Sequence, residues 1–133
     1  MAKTFETEIR VRGYELDGYG HVNHAVYISY MDHGRWTAMR EHGIDLAYFQ
    51  SNEAWPVVAD LEAKYLKPCF VNDELMIRTT CTSHGRVAVD VVHEIFRKGE
   101  LVVRGKILLV AVNAKGRPTA LPPAMKLAMT GEA

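Results

Sequence analysis

Four side chains able to do chemistry crowd into one short stretch, ELDGYGHVNHAVYISYMDHGRW, residues 15–36: Asp17, His21, Asn23 and His24. Asp17 stands in a loop marked by Gly13, Gly18 and Gly20, and His24 opens a segment of helical spacing. A carboxylate can serve as general base on water or as nucleophile. The first N–H groups of a helix have no intrahelical partner and carry the positive end of its dipole, so they suit a developing oxyanion. The backbone N–H of His24, with those of Ala25 and Val26 beside it, holds that position. A plainer reading stays open on residue types alone: Asp17 shapes the turn, and Asn23 or His24 caps the helix. One geometry serves both.

The other polar candidates are weaker. His21 and Asn23 read as loop-shaping groups, and His33, His42, His84 and His93 as structural or surface residues. His21, His24 and Asp32 fit neither a Cys₂His₂ nor a His-Glu-x-x-His spacing, so no metal is expected. Cys69 and Cys81 lie in strand-like segments without metal or redox spacing and read as buried free thiols.

The elements around the loop follow from periodicity. Phe5, Thr7, Ile9 and Val11 alternate with charged residues, a strand with one wet face. From about His24 to His42, Ala25, Ile28, Met31 and Met39, with Tyr27, Trp36 and Ala38, form a broad apolar surface at helical spacing. Gly43 stands where that helix stops, and Gly34 inside it implies close backbone packing. Four strands follow: Val57–Tyr65, ended or bent by Pro68; Leu75–Cys81; Val87–Ile95; and Leu101–Val112. Turns at SHGR and RKGE make hairpins, and the run ILLVAV, apolar on both faces, places the last strand inside the sheet. The tail from Asn113 is turn-rich, then weakly helical. The expected class is α+β: an antiparallel five-stranded sheet around one helix, its strands following one another as hairpins.

Whole-chain properties set the limits. With 133 residues, 48% hydrophobic and 24% charged, residues 1–133 read as one globular domain. Zero formal net charge with no dense basic tract argues against nucleic-acid binding. No apolar run approaches the roughly 18 residues of a membrane span, and no secretory leader is visible, so a cytoplasmic protein is expected. One helix on one sheet leaves a strand edge open, which predicts a homodimer or a dimer of dimers.

Along the chain, Asp17 after the first strand is followed seven residues on by His24, then by Tyr27, Asp32 and Arg35 on the helix. KYLKPCFVNDEL, residues 64–75, is an aromatic strand ending in a basic-Pro pair and an Asn-Asp-Glu turn. This order resembles the hotdog-fold thioesterases of the 4-hydroxybenzoyl-CoA thioesterase class over roughly the whole chain. HVNHAVYISYMD is also similar to a segment of plant acyl-carrier-protein thioesterases. Glu15 departs from the family's usual Asp or Gly-Asp, and residues 18–21 replace small apolar residues, which leaves the acyl group open.

The resemblance implies a hotdog fold, a five-stranded antiparallel sheet wrapped around one long central helix. It implies hydrolysis of acyl-CoA, or an acyl-carrier-protein thioester, to free acid and thiol without a cofactor. Asp17 would be nucleophile or general base, with His24 beside it and the N–H groups of His24 and Ala25 as the oxyanion hole. Asn23, Tyr27 and Met31 would bind substrate, the acyl slot running beside that helix, although side chains placed like Tyr27 and Met31 more often mean core packing. Arg86, Arg97, Lys98 and Arg104 are cations available for CoA phosphates, and each also suits a solvated strand charge. Two alternatives are a hotdog hydratase or dehydratase, using His24 with Asp32, and a non-catalytic acyl-CoA or acyl-carrier-protein binding module.

Overall fold

The computed structural model describes residues 3–132. The chain runs β1 (Lys3–Arg10), a 3₁₀ turn (Gly13–Glu15), α1 (His24–Glu41), α2 (Leu46–Asn52), β2 (Trp55–Tyr65), β3 (Glu74–His84), β4 (Ala88–Arg97), β5 (Glu100–Val112) and α3 (Pro123–Thr130). All five strands form one antiparallel sheet in the order β1-β3-β4-β5-β2. The expected sheet around a long helix is present.

Sequence chemistry accounts for the boundaries of α1. Asn23 is the N-cap, its Oδ1 accepting from the Ala25 N–H at 2.9 Å. At the other end Gly43 adopts φ +74°, and the N–H groups of Gly43 and Ile44 return to the carbonyls of Arg40 and Met39 at 3.0 and 2.9 Å. That is a Schellman stop, closed by the buried Ile44. Between these ends, Tyr27, Tyr30, Met31, Gly34, Arg35, Ala38 and Met39 face inward at i, i+3, i+4 spacing. Ala25 and Ile28 lie off this stripe, exposed and half-buried respectively. A Cβ on Gly34 would stand 3.1 Å from both Ile77 Cγ2 and Thr79 Oγ1, so the glycine lets α1 lie directly on β3.

The core under α1 has two parts. One joins Val11, Val22, Tyr27, Tyr30 and Met31 to Leu75, Ile77, Ile95, Val102 and Val103; the other joins Met39 to Phe49 of α2, Val89, Val91, Leu109 and Met125 of α3. Both cysteines are buried free thiols, and burial pushes Cys81 up to about 12.

Three expectations change. Only β3–β4 and β4–β5 are hairpins; β2 pairs with β5 at the far edge, so residues 66–73 carry the chain across the sheet to β3. Adjacent-strand pairing was the default for a run of strands, but both edges of β3 are taken, by β1 and β4, which leaves β2 to pair with β5. Second, α2 was not foreseen, because seven residues offer too few turns for a periodic signal. Third, the alternation of Val57, Ala59, Leu61, Ala63 and Tyr65 by which the sequence marks β2 buries no face: a bulge lies between Val58 and Asp60, and Val57, Val58, Leu61 and Tyr65 remain 41–49% exposed.

Candidate active site at the start of the long helix

The loop between β1 and α1 is tied by its own backbone. Leu16 bridges Val22, the Asp17 N–H donates to the His21 carbonyl at 2.7 Å, and the Asn23 N–H donates to the Glu15 carbonyl at 2.9 Å. Asp17 also shapes the loop with its side chain, Oδ1 accepting the N–H groups of Tyr19 and His21 at 2.8 and 3.2 Å. The turn-forming role expected of an Asp among glycines is therefore real. It occupies one oxygen. Among the described residues, Oδ2 has no hydrogen-bond partner.

That carboxylate borders a cleft of about 310 Å³ lined by His21, Val22, His24, Tyr27, Tyr65, Leu66, Lys67 and Pro68. The crossing segment supplies the last three and is stitched to the loop: the Val22 N–H donates to the Cys69 carbonyl at 2.9 Å. The Cys69 N–H donates to Tyr27 Oη at 3.2 Å, and burial raises the Tyr27 phenol above its ordinary range. Tyr65 packs on Tyr27 at 5.6 Å between ring centroids and donates its hydroxyl to the His24 carbonyl at 2.9 Å.

The helix start divides its amides unequally. The Val26 N–H donates to the Asn23 carbonyl at 2.9 Å, and the Ala25 N–H is taken by Asn23 Oδ1. The His24 N–H has no partner among the described residues. Of the two expected oxyanion donors, Ala25 is thus engaged by the cap and His24 is free. Asn23, expected to touch substrate, spends its side chain on that cap. Met31, also expected to touch substrate, is fully buried, packed where a Cβ on Gly105 would come within 2.6 Å of its Sδ and Cε, and is not among the residues lining this cleft. A residue at i+4 from Tyr27 shares its face of α1 but stands one turn farther from the loop.

His24 and Asp32 are not brought together as a catalytic pair. Asp32 Oδ1 accepts from Arg35 Nη2 at 3.1 Å and borders a separate groove with His33, Trp36 and Arg40. Arg97 and Lys67 are spoken for: Arg97 pairs with Asp73 at 3.3 Å and Lys67 with Glu100 at 2.6 Å. Among the described residues no group of three or more His, Cys, Asp or Glu side chains could hold a metal ion, and no helix is long and apolar enough to cross a membrane.

Two buried polar pairings were not foreseen, that of Glu15 with Tyr30 and that of Arg35 with His93. Glu15, only 7% exposed, accepts from the Arg12 N–H at 2.7 Å and the Tyr30 hydroxyl at 2.8 Å, and burial raises the Tyr30 phenol. Arg35 and His93 meet in the core at 3.0 Å, with Thr79 Oγ1 at 3.0 Å on the other imidazole nitrogen. A charged residue two before the loop carboxylate was a visible signal for the first. Nothing local announced the second.

The sequence profile of the thioesterase-like superfamily matches residues 11–129. The chain is 32% identical over 130 residues to the chloroplastic acyl-acyl carrier protein thioesterase ATL3 of Arabidopsis thaliana, a match covering 95% of this chain and 67% of that one. It therefore spans about two thirds of the plant relative's length. It is 28% identical over 112 residues to the long-chain acyl-CoA thioesterase FadM of Escherichia coli, covering 83% and 84% of the two chains. A thioesterase from Thermus thermophilus, solved in complex with coenzyme A and Zn, superposes with TM-score 0.78 at 30% identity, covering 93% of this chain and 90% of that one.

Proposed function

The chain belongs to the thioesterase-like superfamily, and from that premise we propose that it hydrolyses acyl-CoA thioesters to free acid and CoA at the cleft between Asp17 and the start of α1. The observation that carries this reading is the pairing of a carboxylate oxygen without a partner, Asp17 Oδ2, with a helix-terminal N–H without a partner, that of His24, on one cleft.

Each requirement of the reaction has a group. The His24 N–H, at the positive end of α1, receives the oxyanion, and one such donor contributes about 2.7–4 kcal/mol to the transition state. Asp17, its rotamer fixed by two amides on Oδ1, presents Oδ2 to attack the carbonyl or to take a proton from water. The thiol leaving group has a pKa near ~8.5, as for free Cys, and departs without a strong acid. That is why one carboxylate can serve where an amide, with its poor leaving group, would also need a general acid. The His24 imidazole, exposed at the rim, orients the thioester. Val22, Tyr27, Leu66 and Pro68 give the acyl group an apolar wall.

The active unit in this reading is a homodimer joined along β2, or a dimer of dimers, because the exposed apolar row on that edge strand adjoins the cleft through Tyr65 and Leu66. A thiol-release assay across acyl-CoA and acyl-carrier-protein thioesters, run on the parent and on Asp17→Asn, tests the proposal. Release by the parent and its collapse in the variant are expected. Binding of acyl-CoA with no release of thiol would establish a non-catalytic module.

A further inference from the structure

Glu15 is the most buried carboxyl group among the described residues that lies near the cleft, yet it does not line it. It joins three separate parts of the chain. Oε1 accepts the Arg12 N–H at the exit of β1 and the Tyr30 hydroxyl of α1, while Oε2 stands 3.4 Å from Arg12 Nη2. Its backbone carbonyl accepts the N–H of Asn23, the residue that caps α1. The loop carrying Asp17 therefore leaves and returns at one residue, and that residue is bolted to α1 less than two turns below the free His24 N–H.

We propose that Glu15 is the positioning residue of this site: its links to Tyr30 and Asn23 set where Asp17 stands relative to the His24 N–H, so that it acts on turnover and not on substrate binding. The proposal rests on the thioesterase reading above. Placement matters at this scale, since a displacement of about 1 Å between reacting groups costs on the order of 10²-fold in rate. Ground-state binding is spared because Glu15 touches no wall of the cleft. The hydroxyl of Tyr30, buried on α1, has no role in packing that Phe would not fill, which makes the pair separable by mutation.

The test is a double-mutant cycle read by kcat and KM separately. Glu15→Ala is expected to lower kcat by about 10²-fold with KM within about twofold of the parent. Glu15→Gln keeps an acceptor for both the Arg12 N–H and the Tyr30 hydroxyl, while the half-exposed Arg12 side chain swings away from the new amide; it should recover most of the loss. Tyr30→Phe, which deletes one hydrogen bond and no volume, is expected to lower kcat by up to about tenfold and serves if Glu15→Ala does not fold. In the Asp17→Asn background, Glu15→Ala should change residual single-turnover hydrolysis by less than about threefold, because a positioning residue has nothing left to position. An equal fold-loss in both backgrounds, a loss in KM in place of kcat, or parental kcat in both Glu15→Ala and Tyr30→Phe would overturn the role of Glu15 alone. Parental hydrolysis by Asp17→Asn would overturn both it and the site reading.

Discussion

Arg35 Nη1 donates to His93 Nε2 across 3.0 Å, with both side chains buried between α1 and the sheet. Because guanidinium only donates, Nε2 must carry the lone pair, which places the imidazole proton on Nδ1, directed at Thr79 Oγ1. Burial first, and then the Arg35 charge, push His93 down to about 3. Arg35 is itself lowered by burial and compensated by Asp32.

The consequence is a pH-dependent stability. In the unfolded chain His93 takes a proton near its ordinary value of about 6.5, whereas in the fold it stays neutral to about 3. The unfolded state thus binds more protons in between, and stability is complete above pH ~6.5 and declines as pH falls toward 3, by at most about 1.4 kcal/mol per pH unit from this group. Thermal melts between pH ~7 and ~5, where most carboxylates stay ionised, should show the slope in the parent. His93→Gln, which still accepts from Arg35, should flatten it; an unchanged slope would remove His93 as its source.

Asp17→Asn keeps the Oδ1 acceptor for Tyr19 and His21 and should leave the circular-dichroism spectrum unchanged. Hydrolysis should fall by roughly 10²–10⁴-fold, the usual worth of one positioned base, and further if Asp17 attacks directly. Single turnover in heavy-oxygen water separates the two roles. A general base yields fully labelled acid, while a nucleophile hydrolysed at the Asp17 carbonyl yields unlabelled acid on the first turnover.

Met31→Ala tests the core assignment. Removing a fully buried side chain beside Gly105 should cost about 2–5 kcal/mol in denaturant unfolding while KM stays near the parental value. A higher KM at unchanged stability would return Met31 to the substrate path.

Assembly along β2 predicts a dimeric or tetrameric mass in light scattering at micromolar concentration. Val58→Lys together with Leu61→Lys, both on the exposed edge, should yield monomers that keep the β-sheet spectrum and lose most hydrolysis. A fully active monomer would contradict the shared assembly.

Much of this molecule was legible in the order of its residues, and the reason is locality. The alternation of Phe5, Thr7 and Ile9, a cap at Asn23 or His24 (Asn23 in the fold), the stop at Gly43 and the close approach at Gly34 depend on neighbours within a turn or on a single missing Cβ. The crowding of Asp17 and His24 at a helix start was equally visible, because a loop and the helix it enters are contiguous. What tertiary structure alone decided involves partners far apart in sequence. β2 lies against β5 and not β3, since strand pairing is chosen by the whole sheet. Arg35 found His93 on β4, 58 residues away, and Glu15 became buried only when α1 folded back to bring Tyr30 to it.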